Sequence, residues 1–389
     1  MTPLTVAWIS DFPVEWLPDA PDSLLRLPRQ HPAMWELVLL NELERSPKVR
    51  LHILLLRSGI ERSFSFQRNG VTFHVLKYRG GTRALSFYWV DTLLIRRALK
   101  EIQPHLVHAW GNEKGAGLIA SRLKYPFLLT IQGLFLWYRE HVAMSSHDKI
   151  SVVCEKLSLA RAKHVTVESN FSIEFIRRRY PRLALHKIEH APNWTFHRVQ
   201  RQPVTEPIRF LNIATTCHRK GTDLLLMALN ELVAELPFRL VMIGRPDDPF
   251  LAPLRQTLSS ELWRRVEFKA KLEPPEVAAE LGLAALFLFP TRADNSPNAV
   301  KEAVAAGVPV VASDVGGIPD YVVPGENGLL FKTGSLEEFA AAIRQACRNP
   351  LFRLGRVPPE SLERSRAALS PTRMAEGFLE AYRSVAGGF

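Results

Sequence analysis

A chain of 389 residues, 47% of them hydrophobic, exceeds the size at which a single core stops growing, so two domains are expected. No apolar run approaches the ~20 residues that span a bilayer, MTPLTVAWIS lacks a basic leader, and Cys154, Cys217 and Cys347 are scattered away from His at metal spacings, which points to a reducing cytoplasm without a structural zinc. The net charge of +11 is uneven: residues 1–190 hold 27 Lys and Arg against 17 Asp and Glu, and the remainder holds 23 against 22.

The excess, with Arg177, Arg178 and Arg179 in one run, makes the first half either a solvated basic surface or a face for anionic lipid headgroups or a polyanionic acceptor. The arginines lack the interleaved aromatics of a single-strand channel, so nucleic acid is not expected as a partner.

In chain order, LTVAWIS (4–10), VRLHILLL (49–56), VTFHVLKY (71–78), LVHAW (106–110), PFLLTIQ (126–132) and HVTVES (164–169) read as strands. Amphipathic helices such as DTLLIRRALKEI (91–102) and SIEFIRRRY (172–180) fall between them. The alternation predicts a doubly wound, largely parallel α/β sheet. The polar, proline-bearing TFHRVQRQPVTEP after Trp194 reads as a linker. A second series follows with RFLNIA (209–214), RLVMIG (239–244), VEFKA (266–270), AALFLFP (284–290) and VPVVAS (308–313), and residues 371–389 read as a helix. The predicted division is 1–193, 194–370 and 371–389.

Two loops of the second series carry chemistry. RFLNIATTCHRKGTDLLLMALNEL reads as strand, loop and helix, with His218, Arg219 and Lys220 in the loop and Gly221 at the turn. Cations at the carboxyl end of a parallel strand are well placed to neutralise a diphosphate, although a surface cluster would look the same. RADNSPNAVKEAVAAGVPVVASDVGGIPDYV (292–322) reads as loop, helix and strand, with Ser296 as N-cap, Pro297 in the first helical position and a stop at Gly307. Asp294 in the loop and Glu302 further along the helix can border one pocket; alternatively they are ordinary turn chemistry and a solvated helix residue.

DNSPNAVKEAVAAGVPVVASDVGGIPDYV resembles the nucleotide-sugar signature of the GT-B glycosyltransferases, particularly glycosyltransferase family 4: an acidic residue, seven others, then Glu. The resemblance implies two Rossmann-like domains with a cleft between them, an N-terminal acceptor-binding domain, a C-terminal donor-binding domain and a last helix that crosses back to the first. It implies that Glu302 holds the ribose hydroxyls and that Asp294, with the following loop, contacts the donor sugar. The helix start at Ser296, Pro297, Asn298 and Ala299 would face the diphosphate, and Gly316, Gly317 and Gly244 join the donor-binding set. Lys220-Gly221 matches the family's cationic turn, while the usual Arg position holds Thr215, leaving Arg219 as the substitute.

The first half departs further from that pattern. SDFPVEWLPDAPDSLLRLPRQHPAMWELVLL has no glycine where the family often has a Gly-Gly loop, and its insertion before the helix at Met34 is a candidate acceptor-site or cleft-covering element. PHLVHAWGNEKG keeps His108 but places Trp110 at the second histidine position. LLTIQGLF has Gln132 before Gly133 where His is usual, and Gln cannot carry a proton. His108, Gln132 and Gly133 are the candidates on the sugar and acceptor side, with a buried core role as the other reading of His108.

The implied activity is transfer of a hexose from a UDP- or GDP-sugar to a sugar or lipid-linked hydroxyl acceptor, with retention at the anomeric carbon. No cofactor or metal is expected; Lys220, Arg219 and the helix start would stabilise the leaving diphosphate, with Asp294 beside them. Polysaccharide or glycolipid assembly, on the cytoplasmic side and at the inner membrane face, is the expected setting. A binding module without catalysis, and an epimerase or phosphorylase of the same architecture, are the alternatives.

Overall fold

The computed structural model of the chain describes residues 3–28, 33–81, 83 and 86–387. Residues 29–32 of the glycine-free insertion, and the first two and last two residues, lie outside the described set. The chain forms two compact units, one made of residues up to His190 together with those from Pro371 onward, the other of Ala191–Ser370. The division after position 190 falls three residues before the expected one.

The first unit carries β1 (Leu4–Ile9), β2 (Val49–Arg57), β3 (Phe64–Arg68), β4 (Val71–Lys77), β5 (Leu106–Trp110), β6 (Phe127–Thr130), β7 (His164–Val167) and β8 (Ala184–Lys187). They form one sheet in the order β3-β4-β2-β1-β5-β6-β7-β8. Every pairing is parallel except β3 with β4. That hairpin turns at Asn69 and Gly70, both at positive φ (46° and 80°), the conformation an Asn-Gly pair favours. Strand β5 is buried along its whole length, as expected for a parallel strand covered on both faces.

The last helix, Pro371–Val385, packs in this unit against β6 and the Met34–Leu43 helix. Its Tyr382 hydroxyl accepts from Trp8 Nε1 at 2.9 Å and bonds His108 Nδ1 at 2.9 Å, while His108 Nε2 meets Thr130 Oγ1 at 2.6 Å. All four side chains are buried. One hydroxyl therefore joins the helix to β1 and β5.

The second unit holds β9 (Ile208–Ile213), β10 (Phe238–Ile243), β11 (Val266–Lys269), β12 (Leu286–Phe289), β13 (Val310–Asp314) and β14 (Gly328–Lys332), in the order β11-β10-β9-β12-β13-β14 and all parallel. Successive residues feed opposite faces. Phe210, Leu240 and Leu288 enter one core, while Leu211, Val241 and Phe287 enter the other.

The predicted linker is part of this unit. Trp194–His197 is a short helix that buries Phe196, and Arg201 donates to the carbonyls of Ala284 at 2.7 Å and Gly355 at 2.6 Å. Its polar, proline-bearing composition reads as a linker, but the guanidinium is packed onto carbonyls of the second unit. Among the described residues no helix is long and apolar enough to cross a membrane.

Candidate functional site

In the second sheet the strand order reverses between β9 and β12, so the loops leaving these neighbours open a crevice at their carboxyl ends. Gly221 sets how closely the two loops approach. Its φ is 71°, and a Cβ there would lie 1.8 Å from the Pro290 carbonyl oxygen, so only glycine fits. Lys220 consequently reaches Asp294 in an ion pair, with its ammonium 5.3 Å from the Phe289 ring centroid.

Around that pair the loops interlock. Arg219 Nη1 donates to Ala293 O at 3.0 Å, and the Arg219 carbonyl accepts the Arg292 N–H at 2.8 Å. Arg292 forks onto Asp223 at 2.7 and 2.8 Å and reaches His218 O at 2.7 Å. Arg219, expected to face a diphosphate, thus has one guanidinium nitrogen bracing the opposite loop. Arg292 and Asp223 were not singled out in the sequence, because nothing local marks partners 69 positions apart. Thr215 is exposed.

The helix following β12 spans Asn298–Ala306 and ends at Gly307 with φ 77°. Ser296 is not its cap. Pro297 occupies the N-cap with ψ 116°, and the Ser296 hydroxyl bonds Tyr321 Oη at 2.8 Å instead. A ring-locked φ and an extended ψ at Pro297 start the helix one residue late. Among the described residues the N–H groups of Asn298 and Ala299 have no partner, so this helix start presents open donors. Gly317 N–H donates to Asn295 O at 2.9 Å, and Gly316 has φ 59°, which folds the loop after β13 against the one after β12. Gly244, at φ 145°, lies so near Ala214 O that a Cβ would come within 2.3 Å of it.

Glu302 is half-buried, and among the described residues its carboxyl has no hydrogen-bond or ion-pair partner. Desolvation pushes it up to about 7, against the opposing charge of Lys301. An unpartnered, desolvated carboxyl one helix turn from open N–H donors, on the helix that follows the Asp294 loop, suits a ligand that offers hydroxyls and an anion together.

The first unit has its own crevice where its strand order reverses between β1 and β5. A cavity of about 390 Å³ lies there, lined by Ser10, Asp11, Glu36, Trp110, Glu113, Gln132 and Gly133 among others. Glu36 is 2% exposed; it accepts from Ser10 Oγ and, at 3.4 Å, from Gln132 Nε2. Burial pushes it up to about 8, helped by the charges of Asp11 and Glu113 and opposed by those two hydrogen bonds. Glu113 is also raised by burial, although backbone N–H groups of Glu113, Asn112 and Gly133 oppose the shift. Gln132 and Gly133 therefore line this cavity. His108 does not: it is fully buried, its ring nitrogens are engaged by Tyr382 and Thr130, and burial holds it well below the ordinary imidazole range. Glu36 and Glu113 were missed, though Glu36 is the lone acid in the apolar stretch MWELVLL and Glu113 falls within PHLVHAWGNEKG.

Comparison with known proteins covers both units. The family profile "Glycosyl transferases group 1" matches residues 208–349, and "Glycosyl transferase 4-like domain" matches residues 23–194. D-inositol 3-phosphate glycosyltransferase of Rhodococcus erythropolis is 32% identical over 178 residues, covering 43% of this chain and 39% of that protein. A GDP-mannose-dependent monoacylated alpha-(1-6)-phosphatidylinositol monomannoside mannosyltransferase of Corynebacterium glutamicum is 28% identical over 35% of this chain and 36% of its own. The chain spans about two fifths of the length of the curated relatives it matches. Sucrose-phosphate synthase of Thermosynechococcus elongatus has the same fold, with a TM-score of 0.78, 19% identity and coverage of 98% of each chain. HepE of Anabaena, solved with UDP-glucose, gives a TM-score of 0.71 at 14% identity, covering 98% of this chain and 100% of that one.

Proposed function

Since the chain belongs to the group 1 glycosyltransferases of GT-B fold, family 4, we propose that it moves a sugar from a nucleotide-diphosphate donor to a hydroxyl acceptor, with retention and without a metal. The observation that carries this reading is the Lys220–Asp294 pair beside the open helix start at Asn298. Asp294 neutralises the ammonium. A bound diphosphate replaces it as counter-charge, and Asp294 turns to the sugar hydroxyls. Lys220 and the N–H groups of Asn298 and Ala299 then stabilise charge as the diphosphate leaves, and the leaving phosphate oxygen takes the acceptor's proton. Glu302 accepts the ribose hydroxyls, which restore to its carboxylate the hydrogen bonds it lacks.

The donor is a UDP- or GDP-sugar; UDP-glucose is bound by HepE, and GDP-mannose is named for the Corynebacterium relative. The acceptor is a sugar or lipid-linked hydroxyl. Weak peripheral contact with anionic membrane is supported by the basic excess of the first half and by exposed Trp89 and Leu93 on the helix that also bears Arg96 and Arg97.

A thermal-shift panel of nucleotide sugars tests the reading. A cognate donor at about 100 times its Kd adds roughly 2.7 kcal/mol of stability, and one of the UDP- or GDP-sugars is expected to do so. If none of the UDP-, GDP- or ADP-sugars moves the melting temperature, the donor assignment fails.

A further inference from the structure

The cavity of the first unit carries a charge pattern that selects among acceptors. Its lining includes three carboxyl groups, Asp11, Glu36 and Glu113, against two cations, Arg83 and Lys114. Both cations already face acids: Lys114 pairs with Asp11, and Arg83 Nε donates to Asp91 Oδ2 at 2.7 Å. Among the described residues neither Glu36 nor Glu113 belongs to an ion pair. Once these acids are ionised, an incoming phosphate or carboxylate would meet them with no uncommitted positive charge among the described lining residues to offset the repulsion, and leaving water for such a site is costly. A hydroxyl meets no such obstacle, since a carboxyl oxygen accepts from it whether the acid is ionised or protonated.

The remaining walls suit a ring. Trp35, Trp110, Phe135 and Tyr138 line the cavity with aromatic surface, and the indole N–H groups of Trp35 and Trp110 are buried without a hydrogen-bond partner among the described residues. Trp110 is only 5% exposed. Buried donors of this kind are rare unless something completes them. The volume, about 390 Å³, lies toward the small end of small-molecule sites.

We propose that this cavity is a binding site for an uncharged polyol, a sugar ring presented by its hydroxyls, and that Glu36 and Glu113, when ionised, exclude phosphorylated and carboxylated rings. The assignment of this ligand as the acceptor rests on the transferase reading; the charge selectivity does not. It departs from the first curated relative, whose name specifies a phosphorylated acceptor.

The test uses the full chain and saturation-transfer NMR at about pH 9, where Glu36 is ionised, with matched pairs: methyl α-glucoside, methyl α-mannoside and myo-inositol, each beside its monophosphate. The uncharged member of at least one pair is expected to bind on the order of tenfold more tightly than its phosphate. Glu113→Gln, which keeps the size and removes the charge, narrows that ratio, and Glu36→Gln, which still accepts from Ser10, narrows it further in the double variant. A phosphorylated ring that binds as well as or better than its neutral partner overturns the proposal. So does saturation transfer to no member of the panel, or an unchanged ratio in a double variant with wild-type melting behaviour. Donor thermal shifts are recorded on the same samples. A missing donor shift sinks the transferase reading, and a donor shift without polyol preference sinks this one.

Discussion

Lys220 and Asp294 form an ion pair across 74 positions, and the two side chains keep only 17% and 10% of their exposure. Lys220→Ala leaves a largely buried carboxylate without its cation, so it is expected to lose about 1–3 kcal/mol in urea unfolding as well as turnover. The double variant with Asp294→Ala recovers part of the stability and none of the activity. Transfer rates for Lys220→Ala should fall by roughly 10²–10³, the range for losing one transition-state donor, while affinity for the free nucleoside barely changes. Turnover near wild type would remove Lys220 from the chemistry.

Glu302→Ala is expected to weaken donor binding by about 1.5–3 kcal/mol, the range for hydrogen bonds to an ionised group. Its melting temperature should stay level or rise, because a desolvated carboxyl with no partner is removed from a helix that accepts alanine. Wild-type donor affinity in the folded variant would return Glu302 to a surface role.

The same carboxyl gives donor binding a pH signature. With Glu302 raised to about 7, its ionised form prevails only above that pH, and that form is the stronger acceptor for the ribose hydroxyls. Donor affinity in wild type is therefore expected to fall toward tenfold per pH unit as pH drops below about 7. Glu302→Gln should flatten the profile. Calorimetric titration from pH 5.5 to 8.5 reads both.

Stability should decline over a neighbouring window. Glu36 and Glu155 are each pushed up to about 8 by burial, above their ordinary value of 4.5. Between those limits the folded chain binds more protons than the unfolded one, so each group lowers stability as pH rises from about 4.5 to about 8. Glu36→Gln should lessen that decline, which melting curves across the window would reveal. An unchanged slope would place the titration elsewhere.

Gly221 and Gly325 share a left-handed backbone but not surroundings. An added Cβ at Gly325 meets nothing within 4 Å, whereas at Gly221 it meets backbone at 1.8 Å. Gly325→Ala is expected to lose the ~1–2 kcal/mol of a left-handed residue and keep activity. Gly221→Ala must push the loops apart, with a larger stability loss and no measurable transfer. Equal melting temperatures for the two would contradict the close approach.

Legibility in the sequence followed the length and purity of the apolar signal. VPVVAS and AALFLFP could hardly be anything but buried strands, and their spacing located the loop that carries Asp294. The fold class emerged from that alternation, while the family came from the 294–302 signature. What escaped depends on partners distant in sequence. Arg201 looks like a linker residue until the carbonyls of Ala284 and Gly355 are beside it, and Glu36 looks like an ordinary helix acid until Ser10 and Gln132 close over it. The β3–β4 hairpin was missed: the Asn69-Gly70 turn signal is there, but the alternating FSFQR before it is short and was not singled out. Ser296 misled because Ser-Pro is the usual opening of a helix, whereas here the proline itself is the boundary.

The order of synthesis gives the last helix a further meaning. Residues Pro371–Val385 leave the ribosome after all of Ala191–Ser370, so the second unit can close its two cores while the first still lacks Tyr382 over Trp8 and His108. At ~5–20 residues per second the earlier half waits on the order of ten to forty seconds with that surface uncovered. The unit that begins first is therefore finished last.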